Sequence, residues 1–570
     1  MDFIKGMDIS GLPEMMDLGA VFYDEFENQR NIFELLQEND VNSIRLRIWN
    51  EPENVPESGG YCNLQQTIEM AKKAKKYGMS VFLDFHYSDF WADPGKQFKP
   101  KAWENLSFQD LKQAVYDFTR EVLIKMKEEG VLPELVQIGN EIRSGMLFPE
   151  GEVPNFTQLA VLVNSGIQAV RDVALESESE IKIVIHLDQG GRYFYLRDWF
   201  DDMIKAGLCD FDIIGVSYYP FWHGTFAEFK DSLVRMVKRY GKPIVVAETA
   251  HPWRCIEEGF VGEQQEKIAG FLATPDAQRT VMDLVMNITA SLEDDMGIGI
   301  YYWEPVVLPL EGKGGWCSNM GIFNEKGIAL PALRSFQFDR SKMNKSVAKI
   351  YQPNKVIVAV DNDIKLPEYV KVLFYDGSLR EMPVEWEPIS NQVTGNFILQ
   401  GRIPEINECV HIELNLVEKL ENNFNYLING DFENGLDRWN IECEDERVKY
   451  ELHPEFIIPF PAPPVYYLYV ESPVNFKFTL TTKLTGITPG IYKLKVDYRG
   501  TNTTGVDVRL FAQTQNNARL ETIIFPTDED WMTYELSDIE IKDEDIIVGM
   551  SIVSPPVFGK IKCITLTKKE

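Results

Sequence analysis

Short apolar runs alternate with amphipathic stretches through about residue 340. The amphipathic stretches, such as NLQQTIEMAKKAKKYG at 63–78, carry apolar residues three and four positions apart and predict helices, with a glycine where this one ends. Strand-length apolar runs between such helices are typical of parallel βα units. There are eight runs: FIKGMDI (3–9), SIRLRIW (43–49), SVFLDFH (80–86), LVQIGNE (135–141), IKIVIHL (181–187), FDIIGVS (211–217), PIVVAET (243–249) and GIGIYYWE (297–304).

These eight runs, followed by a final helical segment ALPALRSF, predict an α/β chain whose residues 1–345 form a (β/α)8 barrel. The active site of such a barrel lies at the carboxyl ends of its strands. The residues at the ends of the eight runs are therefore the first candidates for function: Asp8, Arg47, His86, Glu141, His186, Tyr218, Glu248 and Trp303 or Glu304.

The pattern changes near residue 346, where alternating segments such as KVIVAVDND and YVKVLFYDGS replace the helical periodicity. Period-two alternation with a DG turn predicts antiparallel strands. We expect an immunoglobulin-like β-sandwich over 346–418. A third region, 419–570, opens near NYLINGDFENGLDRWNI and continues through further strand-like segments, which predict a jelly-roll β-sandwich.

Composition and charge narrow the function classes. Apolar residues make up 44% of the chain and aromatic residues 12%, as in a globular protein. Lys and Arg number 57 against 88 Asp and Glu, a net charge of −31 that repels phosphate backbones and anionic lipids. Nucleic acid and membranes are therefore not expected as partners, whereas a neutral polymer is not repelled.

Cysteine spacing and hydropathy add expectations about metals and location. The seven cysteines lie far apart without a CxxC pair, so neither a zinc cluster nor a disulfide framework is indicated. No run of 18 apolar residues and no signal-peptide pattern is present. The expectation is an extracellular protein whose export signal is absent from this sequence, or a cytoplasmic one.

Two strand-end glutamates suit glycoside cleavage. That reaction needs one protonated carboxyl to assist the leaving oxygen and one ionised carboxylate to attack the anomeric carbon or activate water. Glu141 ends the fourth run and Glu248 the seventh. Strands three apart face each other across the barrel mouth, which is compatible with the ~5–5.5 Å carboxyl separation of retaining enzymes.

Neighbouring residues strengthen this interpretation. Asn140 can bond a sugar 2-hydroxyl, Tyr218 can orient the Glu248 carboxylate, and an arginine of the second run can keep that carboxylate ionised. Asp8, Asp84, Asp89 and Glu304 are competing carboxylates that can instead fix loops or bind hydroxyls. The alternative is a buried network of ion pairs that performs no reaction.

The longer motifs carry a narrower resemblance. NEI and ETA on the fourth and seventh runs resemble the acid/base and nucleophile segments of clan A glycosidases. RLRIWNEP, LDFHYSDFWADPGKQFKPKAW, VQIGNEI, SYYPFWHG and YYWEP resemble glycoside hydrolase family 53, the arabinogalactan endo-β-1,4-galactanases, in order across residues 1–340. The resemblance implies endo-acting, retaining hydrolysis of β-1,4-galactan without a cofactor, with Glu141 as acid/base and Glu248 as nucleophile.

The resemblance also implies further site residues. It suggests substrate contacts from Arg45 or Arg47, with Arg45 preferred, and from His86, Trp91, Asn140, Tyr218 and Trp303. It further implies a cis peptide bond between Trp303 and Glu304. Some bacterial members carry a calcium loop after the seventh strand, but HPWRCIEEGFVGEQQEKIAG lacks clustered oxygen ligands, so no metal is expected here.

The NGDFENGLDRW segment resembles carbohydrate-binding modules of family 61, which implies that 419–570 binds carbohydrate. Trp439, Trp531, Tyr466 and Tyr467 are candidate stacking residues, although each also fits sandwich packing. The expected partner is a polysaccharide, and the expected state is a monomer. Alternatives are the same chemistry on mannan, xylan or β-glucan, or a sugar-binding protein without activity.

Overall fold

The structure of this 570-residue chain is a computed structural model. It describes residues 2–569 except 257–261, 311–316, 361–363, 390–392, 421–423, 434, 437, 444, 446, 456–464, 486, 515–518 and 543–544. The chain forms two compact units. The first comprises Met1–Ile350 with Val372–Arg380, and the second Tyr351–Lys371 with Glu381–Glu570.

The first unit contains a closed barrel of eight parallel strands, which confirms the predicted (β/α)8 fold. Neighbouring strands in the chain are neighbours in the barrel, and β8 closes on β1. The strands are β1 (Ile4–Asp8), β2 (Ser43–Ile48), β3 (Ser80–Phe85), β4 (Leu135–Ile138), β5 (Lys182–Leu187), β6 (Ile213–Ser217), β7 (Ile244–Thr249) and β8 (Gly297–Trp303).

Helices surround this barrel, and their boundaries follow local capping rules. Asn31, Asn63, Ser107 and Thr225 each precede a helix and accept a backbone N–H of its first turn. The helices are α1 (Leu12–Asp17), α2 (Ile32–Glu38), α3 (Leu64–Lys76), α4 (Phe108–Glu128), α5 (Phe156–Glu176), α6 (Tyr193–Lys205), α7 (Phe226–Tyr240), α8 (Glu263–Ala269) and α9 (Pro275–Ala290). The predicted helical ALPALRSF segment is a 3-10 helix, Pro331–Gln337.

The barrel interior has an apolar lower layer and a polar upper layer. The lower layer contains Ile4, Phe82, Leu135, Val184, Ile213, Val245, Ala247 and Tyr301. Each polar residue lies two or four positions after one of these apolar residues on the same strand, so its side chain also faces inward. The polar residues are Asp8, Asp84, Gln137, His186 and Ser217. Strand periodicity thus brings these polar groups together at the carboxyl end of the barrel.

A short hairpin far along the chain belongs to the barrel unit. Residues Val372–Arg380 cluster with the barrel rather than with their neighbours in sequence. Gly377 has φ +78, and a Cβ there would meet Ile288 Cγ1 of α9 at 2.7 Å. Asp376 Oδ2 accepts from Lys230 Nζ of α7 at 3.3 Å. The positive φ and the close approach together favour glycine at 377.

The predicted immunoglobulin-like region contains two sheets. One has the order β9-β11-β12 and the other β10-β15-β14-β13. The strands are β9 (Val347–Ile350), β10 (Val356–Ala359), β11 (Tyr369–Phe374), β12 (Leu379–Pro383), β13 (Glu385–Trp386), β14 (Gly395–Ile403) and β15 (Glu408–Val417).

The C-terminal part is a sandwich of two five-stranded sheets, with orders β16-β19-β24-β21-β22 and β17-β18-β25-β20-β23. The strands are β16 (Asn440–Cys443), β17 (Lys449–Glu455), β18 (Val465–Ser472), β19 (Phe476–Leu484), β20 (Gly490–Gly500), β21 (Asp507–Thr514), β22 (Arg519–Ile524), β23 (Met532–Ile541), β24 (Ile546–Ser554) and β25 (Val557–Lys568). Trp439 is core, with its Nε1 donating to Asn429 O, and Tyr466 packs against that core. The division at residues 418 and 419 stays a prediction.

Among the residues that the structure describes, no helix is long and apolar enough to cross a membrane.

Candidate active site

Glu248 lies at the end of β7 and is 6% exposed. Its Oε1 accepts from Arg45 Nη1 at 2.8 Å, and its Oε2 accepts from the Tyr219 hydroxyl at 3.2 Å. A carboxylate with two fixed donors and little solvent is held in one orientation. Glu248 is therefore placed as a preorganised nucleophile would be.

Arg45 connects four strands at the base of the polar layer. Its Nη1 also donates to Asp8 Oδ2 at 2.8 Å, and its Nη2 to Asp84 Oδ2 at 2.9 Å and to Asn140 Oδ1 at 3.0 Å. The residue is 1% exposed. The carboxylates around this guanidinium offset the free-energy cost of burying its charge. Because Arg45 donates to Glu248, the preference for Arg45 as the partner of Glu248 agrees with the geometry.

Glu141 follows a sharp turn at the end of β4. Gly139 has φ +80, and a Cβ there would meet Ile142 Cγ2 at 2.6 Å. Glu141 itself has φ 47, a region that few non-glycine residues occupy. Its Oε1 lies 2.5 Å from Ser217 Oγ at the end of β6. The turn thus directs the Glu141 carboxyl toward β6 and β7.

The two glutamates differ in their electrostatic surroundings. Burial, the Glu248 charge and the Asp188 charge raise the pKa of Glu141 well above its usual range. Burial also raises the pKa of Glu248 to about 7, while Arg45 opposes this rise. Because Arg45 bonds only Glu248 of these two glutamates, Glu248 ionises first and Glu141 keeps its proton. This is the division that an acid and a nucleophile require.

Tyr218 meets Glu248 through its backbone, with its N–H donating to Glu248 O at 2.9 Å, but its side chain points elsewhere, so the expectation that it orients the Glu248 carboxylate is wrong. Its ring stacks on Phe229 with centroids 3.8 Å apart, and its hydroxyl donates to Gly224 O. The next residue, Tyr219, makes the contact with Glu248 instead. Ser217 faces inward, and inward residues recur every second position, so period-two alternation was the signal for Tyr219.

Asn140 and the two strand-end histidines form an inner network with little solvent exposure. Asn140 Nδ2 donates to Ala92 O at 2.9 Å. His86 Nε2 lies 3.0 Å from Asp84 Oδ2, and His86 Nδ1 accepts from Ala92 N at 3.0 Å. His186 lies between Asn140 and Ser217. His86 thus has protein partners at both ring nitrogens, and its predicted contact with substrate stays a prediction.

An aromatic wall lies beside Glu248. The rings of Trp91 and Trp303 are 6.1 Å apart, and Trp303 is 6.4 Å from Tyr219. The Arg47 guanidinium lies 4.0 Å from the Trp91 ring centroid and pairs with Glu304. Arg47 therefore supports Trp91 rather than Glu248. Flat aromatic faces of this kind suit the C–H faces of a sugar.

The peptide bond after Trp303 and the Asp89 carboxylate bear on two further expectations. The bond between Trp303 and Glu304 is not cis; the cis bonds among the described residues are Phe148–Pro149 and Val153–Pro154. Glu304 instead turns the chain through a positive φ of 49. The Asp89 carboxylate accepts the backbone N–H groups of Glu51 and Lys101, which fits the predicted loop-fixing role.

Among the described residues no group of three or more His, Cys, Asp or Glu side chains could hold a metal ion. Part of the segment after β7, residues 257–261, lies outside the described residues.

A (β/α)8 barrel with two buried strand-end glutamates of unequal pKa has the groups that glycoside hydrolysis requires. The model of glycosyl hydrolase family 53 matches residues 4–336, and the chain belongs to that family. A bacterial Ig-like domain model (group 4) matches residues 351–406.

Relatives and solved structures agree with this assignment. The chain is 34% identical to an endo-beta-1,4-galactanase of Bacillus subtilis, covering 60% of this chain and 86% of that protein. It is 35% identical to an arabinogalactan endo-beta-1,4-galactanase of Thermothelomyces thermophilus, covering 58% and 98%. The solved GH53 catalytic domain of Ignisphaera aggregans is 39% identical with a TM-score of 0.56, covering 59% and 96%.

Proposed function

We propose that this chain is an endo-acting, retaining galactanase that hydrolyses β-1,4-galactosidic bonds in galactan and type I arabinogalactan. The observation that carries the proposal is the pair Glu141 and Glu248, of which only Glu248 is bonded to Arg45. The galactanase names of the relatives support the choice of substrate. The proposed partner is the polysaccharide alone, and the proposed state is a monomer.

In the proposed first step Glu248 attacks the anomeric carbon while Glu141 gives its proton to the departing glycosidic oxygen. The C–O bond to the leaving sugar breaks, and a galactosyl-enzyme forms. In the second step Glu141 takes a proton from water, which attacks the same carbon and releases Glu248. In this scheme the second Nδ2 hydrogen of Asn140 bonds the sugar 2-hydroxyl, and the aromatic wall positions the sugar ring.

The experiment is hydrolysis of linear β-1,4-galactan, followed by chromatography and by nuclear magnetic resonance of fresh products. We expect mixed oligosaccharides at early times, with the β-anomer appearing first because two displacements restore the configuration. Mannan, xylan and β-glucan serve as controls. Cleavage of one of these polymers in preference to galactan would contradict the proposed substrate. Release of the α-anomer first would contradict the retaining mechanism. No cleavage of any polymer would favour a sugar-binding protein without activity.

We also propose that the C-terminal sandwich binds galactan. An aromatic cluster on the outer face of the sheet that contains β17, β18 and β25 supports this function. His453 stacks on Tyr467 with centroids 5.6 Å apart, and Tyr467 lies 5.9 Å from Trp531. Lys562 Nζ lies 4.0 Å above Trp531 and donates to Glu455 Oε2 at 2.9 Å. Partly exposed aromatic rings flanked by fixed polar groups can stack on and bond to a sugar chain.

A second site on the same chain raises the effective concentration of a long polymer at the cleft. The change Trp531→Ala should therefore slow hydrolysis of insoluble galactan several-fold and leave short soluble oligosaccharides unaffected. Phe525→Ala is the matched control, because Phe525 is an exposed aromatic residue of the same region, outside the cluster. Equal rates for Trp531→Ala and the unchanged chain on insoluble galactan would remove the binding proposal.

A further inference from the structure

We infer that Ser217, His186 and Asn140 form a hydrogen-bond relay of fixed direction, in which Ser217 accepts the proton of Glu141 and so holds that proton in place before cleavage. The inference rests on the proposed acid/base role of Glu141. It assigns positioning roles to Ser217 and His186.

The orientation of the Asn140 amide is fixed from two sides. One amide atom lies 3.0 Å from Arg45 Nη2, and a guanidinium only donates, so that atom is the oxygen Oδ1. The other lies 2.9 Å from Ala92 O, and a carbonyl only accepts, so that atom is the nitrogen Nδ2. Asn140 therefore presents an acceptor, and no donor, to any group beside Oδ1.

His186 Nδ1 lies 3.0 Å from Asn140 Oδ1. Since Oδ1 only accepts, Nδ1 carries a hydrogen. Burial and the nearby Arg45 charge lower the pKa of His186 well below its usual value, so the ring is neutral and has one N–H. That hydrogen is on Nδ1, and Nε2 is consequently an acceptor.

Ser217 Oγ lies 2.9 Å from His186 Nε2 and 2.5 Å from Glu141 Oε1. A hydroxyl has one hydrogen, and the bare Nε2 requires it. The short contact with Glu141 then needs a hydrogen from the carboxyl, which a protonated Glu141 supplies. The relay therefore runs from Glu141 to Ser217, His186 and Asn140, each group donating to the next.

Ionisation of Glu141 disturbs this relay. The Ser217 hydrogen must then rotate to the carboxylate, which leaves Nε2 of His186 facing an oxygen lone pair. The relay thus favours protonated Glu141 before cleavage and favours recovery of a proton from water afterwards. The charged or titratable groups facing Glu141 are Glu248, Asp188, Asp93 and Tyr219, and those facing His186 are Arg45, Asp84, His86 and His223.

The change Ser217→Ala tests the direction of the relay. If Ser217 accepts from Glu141, its loss destabilises the protonated acid, and the basic limb of the pH profile of kcat/KM on galactan moves to lower pH by about one unit. If Ser217 instead donates to Glu141, its loss destabilises the carboxylate, and the limb moves to higher pH. A limb that stays in place would also overturn the inference.

Ser232→Ala is the matched control, because Ser232 is a fully buried serine on α7, outside the site. The basic limb of the pH profile of this variant should not move. A second measurement needs no active variant. Nitrogen-15 resonance of labelled histidine, assigned by comparison with His186→Gln, should show His186 as the Nδ1–H tautomer, and the Nε2–H tautomer would refute the relay. Loss of galactan hydrolysis in the unchanged chain would instead contradict the proposed function, so the two failures are distinct.

Discussion

The change Glu248→Ala should reduce kcat on β-1,4-galactan by at least about four orders of magnitude. Without this carboxylate no galactosyl-enzyme can form, and water has no activated route to the anomeric carbon. Arg45 and Tyr219 also lose the group to which they donate. The measurement is reducing-sugar release over long incubations, with circular dichroism to establish that the variant is folded.

Azide should restore turnover of Glu248→Ala on a dinitrophenyl β-1,4-galactobioside. The small anion occupies the space left by the carboxylate and attacks from the same side, which gives an α-galactosyl azide. A β-galactosyl azide would assign the nucleophile role to another residue, because a β product requires two inversions and therefore a galactosyl-enzyme formed without Glu248.

The change Glu141→Ala should slow galactan hydrolysis by roughly 10²–10⁴-fold, the usual contribution of a general acid. A dinitrophenyl leaving group needs no proton, so formation of the galactosyl-enzyme from the activated substrate should be nearly unchanged. The intermediate then accumulates, because water attack still requires the base. Stopped-flow measurement of the dinitrophenol burst separates the two steps.

Added azide provides the internal control for Glu141→Ala. It attacks the accumulated intermediate without needing a base and should give a β-galactosyl azide, the opposite stereochemistry to that from Glu248→Ala. Equal losses on galactan and on the activated substrate would contradict the acid role of Glu141.

Strand periodicity predicted much of the site. The eight apolar runs gave the barrel, and the strand-end rule selected Glu141 and Glu248. The same alternation places the side chains of Tyr218 and Tyr219 on opposite faces, but which of them faces inward follows only once Ser217 is known to face inward. Tyr218 directly follows the apolar run, but the strand pairing shifts between Val216 and Ser217, and Tyr219 is the tyrosine whose hydroxyl bonds the Glu248 carboxylate.

Arg45 and Arg47 are two arginines that strand periodicity cannot distinguish. They lie two positions apart on one strand and face the same way, so periodicity alone cannot distinguish them. Their depth in the barrel does: Arg45 pairs in register with Asp8, while Arg47 is one layer higher, beside Trp91 and Glu304. The direction of the bonds through Asn140, His186 and Ser217 depends on distances of about 3 Å between strands, which no local pattern encodes.

The hairpin Val372–Arg380 has a consequence for moving this barrel between proteins. Gly377 covers Ile288 on α9, yet 21 residues of another unit, Tyr351–Lys371, separate the hairpin from the rest of the barrel in sequence. A recombination event at residue 350 would give the barrel new neighbours but remove this cover from a buried isoleucine. The family 53 model ends at residue 336 and the Ig-like model spans the hairpin, so a barrel transferred without the Ig-like region needs another cover for Ile288.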